Sequence, residues 1–282
     1  MSKLASVVMP VPRATAAELA DKYEGLLLDA YGVLVDATGA RPGAKQLVDA
    51  LRDRRVPFRV VTNDASHTPL TLARRFHSFG LSISPEVITS SGTLIPHCLI
   101  SNNLRGARVV VLGTQDTKEM TKRADVEVIE PSESSSLEAL VLADEHGYPM
   151  LETLDATITM MLRAYDRGAR PTLVLANPDL IYPRGGGRFG LTAGAIAHLI
   201  EPIARLRDPS AAFIRLGKPA APIYERALEE LGTRNVIMIG DQLETDVRGA
   251  LDVGIEAALV ESGVARWEGR GPRPHWLISA LV

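Results

Sequence analysis

Short all-apolar runs alternate along the chain with longer stretches in which apolar residues recur every three or four positions. The first kind reads as strands buried on both faces, the second as amphipathic helices. Leu26-Leu27-Leu28 is the first such run and ends at Asp29. Before it, a lead-in over 1–22 carries a short helix around 14–22. After it, the spacing predicts a helix opened by Pro42 with Leu47, Val48 and Leu51 on one face, then a strand over 58–61. Thr68-Pro69 starts the next helix, with Leu72 and Phe76 inward and Gly80 as its stop. The order β-α-β-α by residue 80 argues for a parallel sheet with right-handed crossovers.

A second run of elements spans about 86–188. Strands are expected at 109–112, 126–129, 140–143 and 172–175, with a polar helix at 114–123 and a serine-rich loop at 131–136. A helix at 150–167 sets Leu151, Leu154, Ile158, Met161, Leu162 and Tyr165 at helical spacing before Gly168, and its methionine pair reads as core packing. Arg184-Gly-Gly-Gly-Arg188 lacks the spacing and lysine of a phosphate loop, so it reads as a hairpin or connecting turn. A helix at 193–206 turns Ile196, Leu199, Ile200 and Ile203 inward, with a kink at Pro202. Alternation then resumes: strand 212–216 before Gly217-Lys218-Pro219, helix 222–231, strand 236–239 before Gly240-Asp241, short helix 246–253, strand 257–260, and a loop-rich tail closing near Trp276. The fold class is therefore α/β. A Rossmann-like parallel-sheet core over 1–85 and 189–282 is interrupted by an inserted α/β unit over 86–188.

Composition narrows the partners. The chain has 282 residues, a net charge of −3 and a pI near 6.1, which gives no support for nucleic-acid binding or a polybasic membrane surface. A single cysteine, Cys98, excludes a disulfide framework and suits a reducing cytoplasm. The six histidines show no zinc spacing. No run approaches the roughly 18 apolar residues of a membrane span, and the N-terminal segment is too short and proline-broken for a signal peptide.

The chemistry gathers at strand ends. Asp29, Thr62-Asn63, Lys218 and Asp241 each follow an expected strand, and in a parallel sheet all carboxyl ends lie along one edge. Four strand ends would thus bring two carboxylates, a hydroxyl and an ammonium to one crevice. Neighbouring carboxylates repel unless a cation lies between them, and oxygen donors without His or Cys point to Mg²⁺. Such a set suits a transferring phosphoryl group, with Asp29 as candidate nucleophile.

The segments L-L-L-D-A-Y-G-V-L, R-V-V-T-N-D-A-S-H-T, A-N-P-D-L-I-Y-P, L-G-K-P and M-I-G-D-Q-L-E-T-D-V-R-G-A, in this order, resemble the haloacid dehalogenase-like (HAD) hydrolase superfamily. The likeness is greatest to its class II-A phosphatases, the 4-nitrophenylphosphatase and nucleotide- or sugar-phosphate phosphatase type. It implies Asp29 as nucleophile and Mg²⁺ ligand, the Tyr31 carbonyl and Asp241 as further ligands, and Asp246 orienting Lys218 or the metal's waters. It also implies Thr62 and the Asn63 backbone as phosphate holders, and Lys218 as the group that neutralises Asp29 and the phosphoryl oxygens. Gly32 and Asp64 flank these motifs as substrate-binding candidates. Only 33 residues separate Asp29 from Thr62, but 156 separate Thr62 from Lys218. The inserted unit therefore lies between the second and third motifs, and the resemblance makes it a cap that supplies specificity, with 177–182, Asn177 and Asp179 among them, facing a small phosphorylated substrate. A homodimer is a further implication. Structural roles stand beside these: Asp246 as a helix-start carboxylate and Asn63 as a turn residue.

One position departs from the pattern. Two residues after the nucleophile the phosphatases carry an aspartate that acts as general acid and base; here it is Tyr31. D-A-Y-G matches the 2-haloacid dehalogenases instead, although those place their cap between the first two motifs. Two alternatives follow: a hydrolase of a non-phosphoester bond, and a weakened phosphometabolite-binding protein.

Overall fold

In a computed structural model the structure describes residues 10–132, 136–261 and 266–282. The first nine residues of the expected lead-in and the middle of the expected serine-rich loop lie outside them.

Two parallel sheets organise the chain. The first has the spatial order Trp276–Ile278, Glu256–Val260, Val236–Gly240, Gly25–Asp29, Phe58–Thr62, Ile88–Ser90. Every neighbouring pair in it is parallel. Gly25–Asp29 is central and buried along its whole length. Leu26 and Leu28 pack with Leu47, Leu51, Leu72 and Phe76 on one face, while Leu27 packs with Val61, Ile223, Tyr224 and Ala227 on the other. Both faces being apolar is why this strand reads as an unbroken leucine run rather than an alternation.

The second sheet has the order Ile214–Arg215, Thr172–Leu175, Ala139–Leu142, Arg108–Leu112, Glu127–Ile129, again parallel throughout. The helices Met150–Asp166 and Ala193–Arg205 cover one of its faces. Val109, Val111, Val141 and Val174 on its other face join the same apolar cluster as Leu27. The two sheets thus share one continuous core, with the helices Ile95–Ser101 and Ala221–Leu231 contributing to it. By sheet membership the chain crosses to the second sheet after Ser90 and returns after Arg215, later than 86 and 188.

Several elements differ from expectation, each for a local reason. The strand expected over 212–216 is only Ile214–Arg215, and it pairs with Thr172–Leu175 of the second sheet. Lys218 is therefore not at the end of a first-sheet strand. Three strand ends of that sheet and one loop returning from the other sheet build the crevice. Ile88–Ser90 is a first-sheet strand too short to leave a periodic signal. The helix expected to open at Pro42 begins at Ala44, after Gly43 at φ 83°. The helix expected over 246–253 starts earlier, as a π-type turn over Leu243–Val247 that runs into Arg248–Asp252. Leu199 and Leu151, expected inward, are 61% and 67% exposed. In Met150–Asp166 Leu154 and the methionine pair, Met160 and Met161, are buried as expected, and Thr157 and Ala164 complete that face. Thr157 can occupy that face because its hydroxyl returns to the Thr153 carbonyl at 2.7 Å, which an apolar-periodicity reading does not anticipate. The Arg184–Arg188 glycine run is the turn of an antiparallel hairpin, Ile181–Gly185 with Arg188–Leu191. Among the described residues no helix is long and apolar enough to cross a membrane.

Candidate active site

Asp29 ends the central strand and is 6% exposed. Lys218 Nζ donates to Asp29 Oδ1 at 2.5 Å and to Asp246 Oδ1 at 2.7 Å, closing a buried carboxylate–ammonium–carboxylate triad. Asp246 Oδ2 accepts from the backbone N–H of Asp241 at 3.2 Å and of Gln242 at 3.0 Å. That carboxylate therefore fixes both Lys218 and the turn that carries Asp241. Close backbone approaches make the arrangement possible. A methyl group at Gly240 would overlap the Asp246 side chain, and one at Gly32, where φ is 104°, would overlap the Asp241 carboxylate.

Oxygen atoms of Asp29, Asp241 and Asp246 lie within 4.8 Å of one another, and all three residues are buried. Three carboxylates face one ammonium, leaving an excess of two negative charges in a buried site. An all-oxygen donor set with that excess fits one divalent cation of the hard class. The protonation of its groups follows the same crowding. Burial pushes the Asp29 carboxyl well above its ordinary range; Lys218 opposes this, and Asp246 and Asp241 add to it. Burial alone would lower the Lys218 ammonium, yet Asp246 and Asp29 hold it well above the ordinary lysine value.

Thr62 and Asn63 stand beside Asp29 at the next strand end and are buried. The Thr62 hydroxyl oxygen accepts from Asp64 N at 3.2 Å. The Asn63 side chain is engaged with the Lys218 backbone, Oδ1 accepting from Lys218 N at 2.7 Å and Nδ2 donating to Lys218 O at 3.0 Å. Asp64 turns back onto its own loop, accepting from Ser66 N and His67 N and pairing with the His67 ring at 2.9 Å. Asn177 Oδ1 accepts from Asp179 N at 3.0 Å, and Asp179 Oδ1 accepts from Asn63 Nδ2 at 3.0 Å. The Tyr31 hydroxyl points at the hairpin of residues 181–191 and lies 3.4 Å from the Pro183 carbonyl. Burial, then Asp36, raise its phenol above the ordinary tyrosine value, with Arg75 opposing.

Two supporting residues escaped sequence reasoning. The buried Tyr224 hydroxyl donates to Thr245 O at 2.8 Å and lies 3.2 Å from Asp246 O, holding the turn that presents Asp246. Its helical spacing with Ala227 and Leu228 reads only as an apolar face. Ser91 Oγ donates to Asn63 O at 2.9 Å from an unexpected strand end. A second group within ligating distance, Asp144, Glu145 and His146, follows a strand of the second sheet. Its contiguous D-E-H was its only signal.

The model of the haloacid dehalogenase-like hydrolases matches residues 26–127, and a second HAD-hydrolase-like model matches 215–281. A dihydroxyacetone phosphatase of Corynebacterium glutamicum is 31% identical over 85% of this chain and 81% of its own. The chain belongs to the haloacid dehalogenase-like hydrolases. An acid sugar phosphatase of Staphylococcus aureus is 30% identical over 88% of this chain and 90% of its own. A possible sugar phosphatase of the HAD superfamily from Cytophaga hutchinsonii superposes with a TM-score of 0.82 at 27% identity, covering 97% of this chain and 99% of the other. This HAD protein is thus a hydrolase whose curated relatives are phosphatases, and both matched stretches carry residues of the crevice described above.

Proposed function

We propose that the enzyme hydrolyses small phosphorylated metabolites or aryl phosphates through an aspartyl-phosphate on Asp29. The observation that carries this is the buried triad beside a third carboxylate. Lys218 occupies Asp29 Oδ1 and leaves Oδ2 as the attacking oxygen. Thr62 and the Asn63 backbone stand at the adjacent strand end, where phosphoryl oxygens would be held. Asp29 Oδ2 bonds to phosphorus as the ester P–O bond breaks and the leaving oxygen takes a proton from solvent water or the Tyr31 hydroxyl; water then attacks the same phosphorus, gives a proton back to that donor, and returns the carboxylate and free phosphate. Asp29, Asp241 and the Tyr31 carbonyl would hold Mg²⁺, with Asp246 fixing Lys218 or the waters. The ion would supply positive charge to the phosphoryl oxygens and between the carboxylates.

The dihydroxyacetone phosphatase and acid sugar phosphatase relatives support a small phosphorylated substrate. We propose further that the unit built on the second sheet, bounded by the crossings after Ser90 and Arg215, acts as the cap. The Tyr31–Pro183 contact puts its hairpin beside the first motif. Hydrolysis of 4-nitrophenyl phosphate tests the reading: release that requires Mg²⁺ and stops with EDTA is expected. Cleavage of a carbon–halogen bond needs no metal, so EDTA-resistant turnover of a 2-haloacid would replace this reading. Ligand-induced stabilisation without turnover would favour the binding-protein alternative.

Tyr31 sets the range of substrates. A positioned general acid is worth about 10²–10⁴-fold in rate. A phenol raised above its ordinary pKa of ~10 is a poor donor near neutral pH. Wild-type enzyme is expected to favour good leaving groups such as aryl or acyl phosphates. Tyr31→Asp should raise kcat on alkyl phosphates and change it little on 4-nitrophenyl phosphate. An intact variant with no gain on alkyl esters would refute this role.

A further inference from the structure

We infer that Asp179 is a positioning residue for Lys218, acting through the Asn63 side chain rather than on the substrate. The Asn63 amide has three hydrogen-bonding partners in this structure. Its oxygen accepts from Lys218 N, and its nitrogen donates to both Lys218 O and Asp179 Oδ1. Because Lys218 N can only donate, the Asn63 oxygen must face it. The amide nitrogen is then directed at Lys218 O and at Asp179, and Asp179 Oδ1 is the acceptor that locks this orientation.

Asp179 is itself held from three sides. Its N–H donates to Asn177 Oδ1, and its carbonyl accepts from Gly194 N at 3.0 Å and from the Thr192 hydroxyl. The loop lies tight against the lysine segment, since a methyl group at Gly217 would overlap Asn63 Oδ1 and Pro178. Residues 176–180 join the Thr172–Leu175 strand to the hairpin. A carboxylate delivered from the second sheet thus sets the backbone from which the Lys218 ammonium reaches Asp29 and Asp246. Misplacement by a fraction of an ångström would weaken charge compensation at the nucleophile and at the phosphoryl oxygens as their charge develops, leaving the Thr62 and Asn63 backbone contacts in place.

The inference rests on the phosphatase reading for its kinetic arm, but not for its stability arm. Asp179→Ala, Asp179→Asn, Asn63→Ala and the double variant Asn63→Ala/Asp179→Ala would be compared with wild type. The measurements are kcat and KM on 4-nitrophenyl phosphate with Mg²⁺, and Tm. Asp179→Ala should lower kcat by about 10–100-fold, the scale for outer partners of a charged centre, with KM unchanged. Asp179→Asn keeps an acceptor oxygen and should recover most of that loss. The double variant should be no worse than Asn63→Ala alone in kcat or Tm, as two members of one network are non-additive. A change confined to KM, an Asp179→Asn variant as impaired as Asp179→Ala, or additive losses would each overturn the inference. If wild type hydrolyses no phosphate ester, the phosphatase reading fails, and the Tm comparison still decides: additive Tm losses overturn the network and non-additive losses uphold it.

Discussion

Asp29→Asn is expected to abolish phosphate-ester hydrolysis, by on the order of 10⁴-fold or more in kcat, while the fold persists. The substitution is nearly isosteric, and an amide oxygen can still accept from Lys218 Nζ, so the triad geometry has a substitute partner. What it removes is the nucleophile. Asn is also the replacement that a turn-forming aspartate would tolerate, so the same variant separates the two roles. The direction of the stability change is set by protonation. The folded protein raises the Asp29 pKa, so it binds this proton more tightly than the unfolded chain. The stability linked to Asp29 is therefore present below the unfolded carboxylate pKa and is lost as pH rises through the folded value. Where it is ionised the group works against the metal-free fold, and the Asp29→Asn variant should hold or raise Tm. Variant and wild type would be compared by steady-state kinetics and thermal unfolding in EDTA; retained turnover would remove Asp29 from the chemistry.

Lys218→Met is expected to damage both activity and the fold. It leaves Asp29, Asp241 and Asp246 buried without the ammonium that joins two of them. Breaking a buried ion pair from one side costs about 3–5 kcal/mol, which urea unfolding of the metal-free protein would read. The cost should shrink as pH falls, because protonated carboxylates need no cation, and saturating Mg²⁺ should restore part of it. Turnover should fall by about 10²–10³-fold, the scale for losing one charge-stabilising donor. A metal-free variant as stable as wild type at pH 8 would contradict the charge accounting of the site.

The strand-end chemistry is legible because it is written in local sequence. An all-apolar strand closing on Asp29, and Gly240-Asp241 after Val236–Ile239, are short signals that burial on both faces forces into view. The hairpin at 181–191 is legible through the three consecutive glycines of its turn, Gly185, Gly186 and Gly187, each at positive φ. What escapes depends on which sheet a strand joins, and no local pattern encodes that. The pair Ile214–Arg215 is too short and too exposed to announce its pairing with Thr172–Leu175, so the sequence reading puts Lys218 on the wrong sheet although it expects the lysine beside Asp29. In Met150–Asp166 the reading finds Leu154 and the methionine pair but misses Thr157 and Ala164 and includes the exposed Leu151, because neighbours, not periodicity alone, choose which stripe turns inward. Asn177 and Asp179 read as substrate-facing, and the structure shows them hydrogen-bonded within the loop and to Asn63. The partnership between an Asn side chain and a lysine backbone 155 residues away is visible only in three dimensions.

The central claim is a covalent phosphoryl group on Asp29, and rapid acid quenching of a single turnover tests it most directly. Enzyme with Mg²⁺ would be mixed with an aryl phosphate radiolabelled in its phosphoryl group, quenched within milliseconds, and the protein digested. Hydroxylamine-labile label on the peptide containing Asp29, absent from Asp29→Asn, is the predicted result. Label on another residue, or phosphate release with no protein-bound label at any quench time, would contradict it.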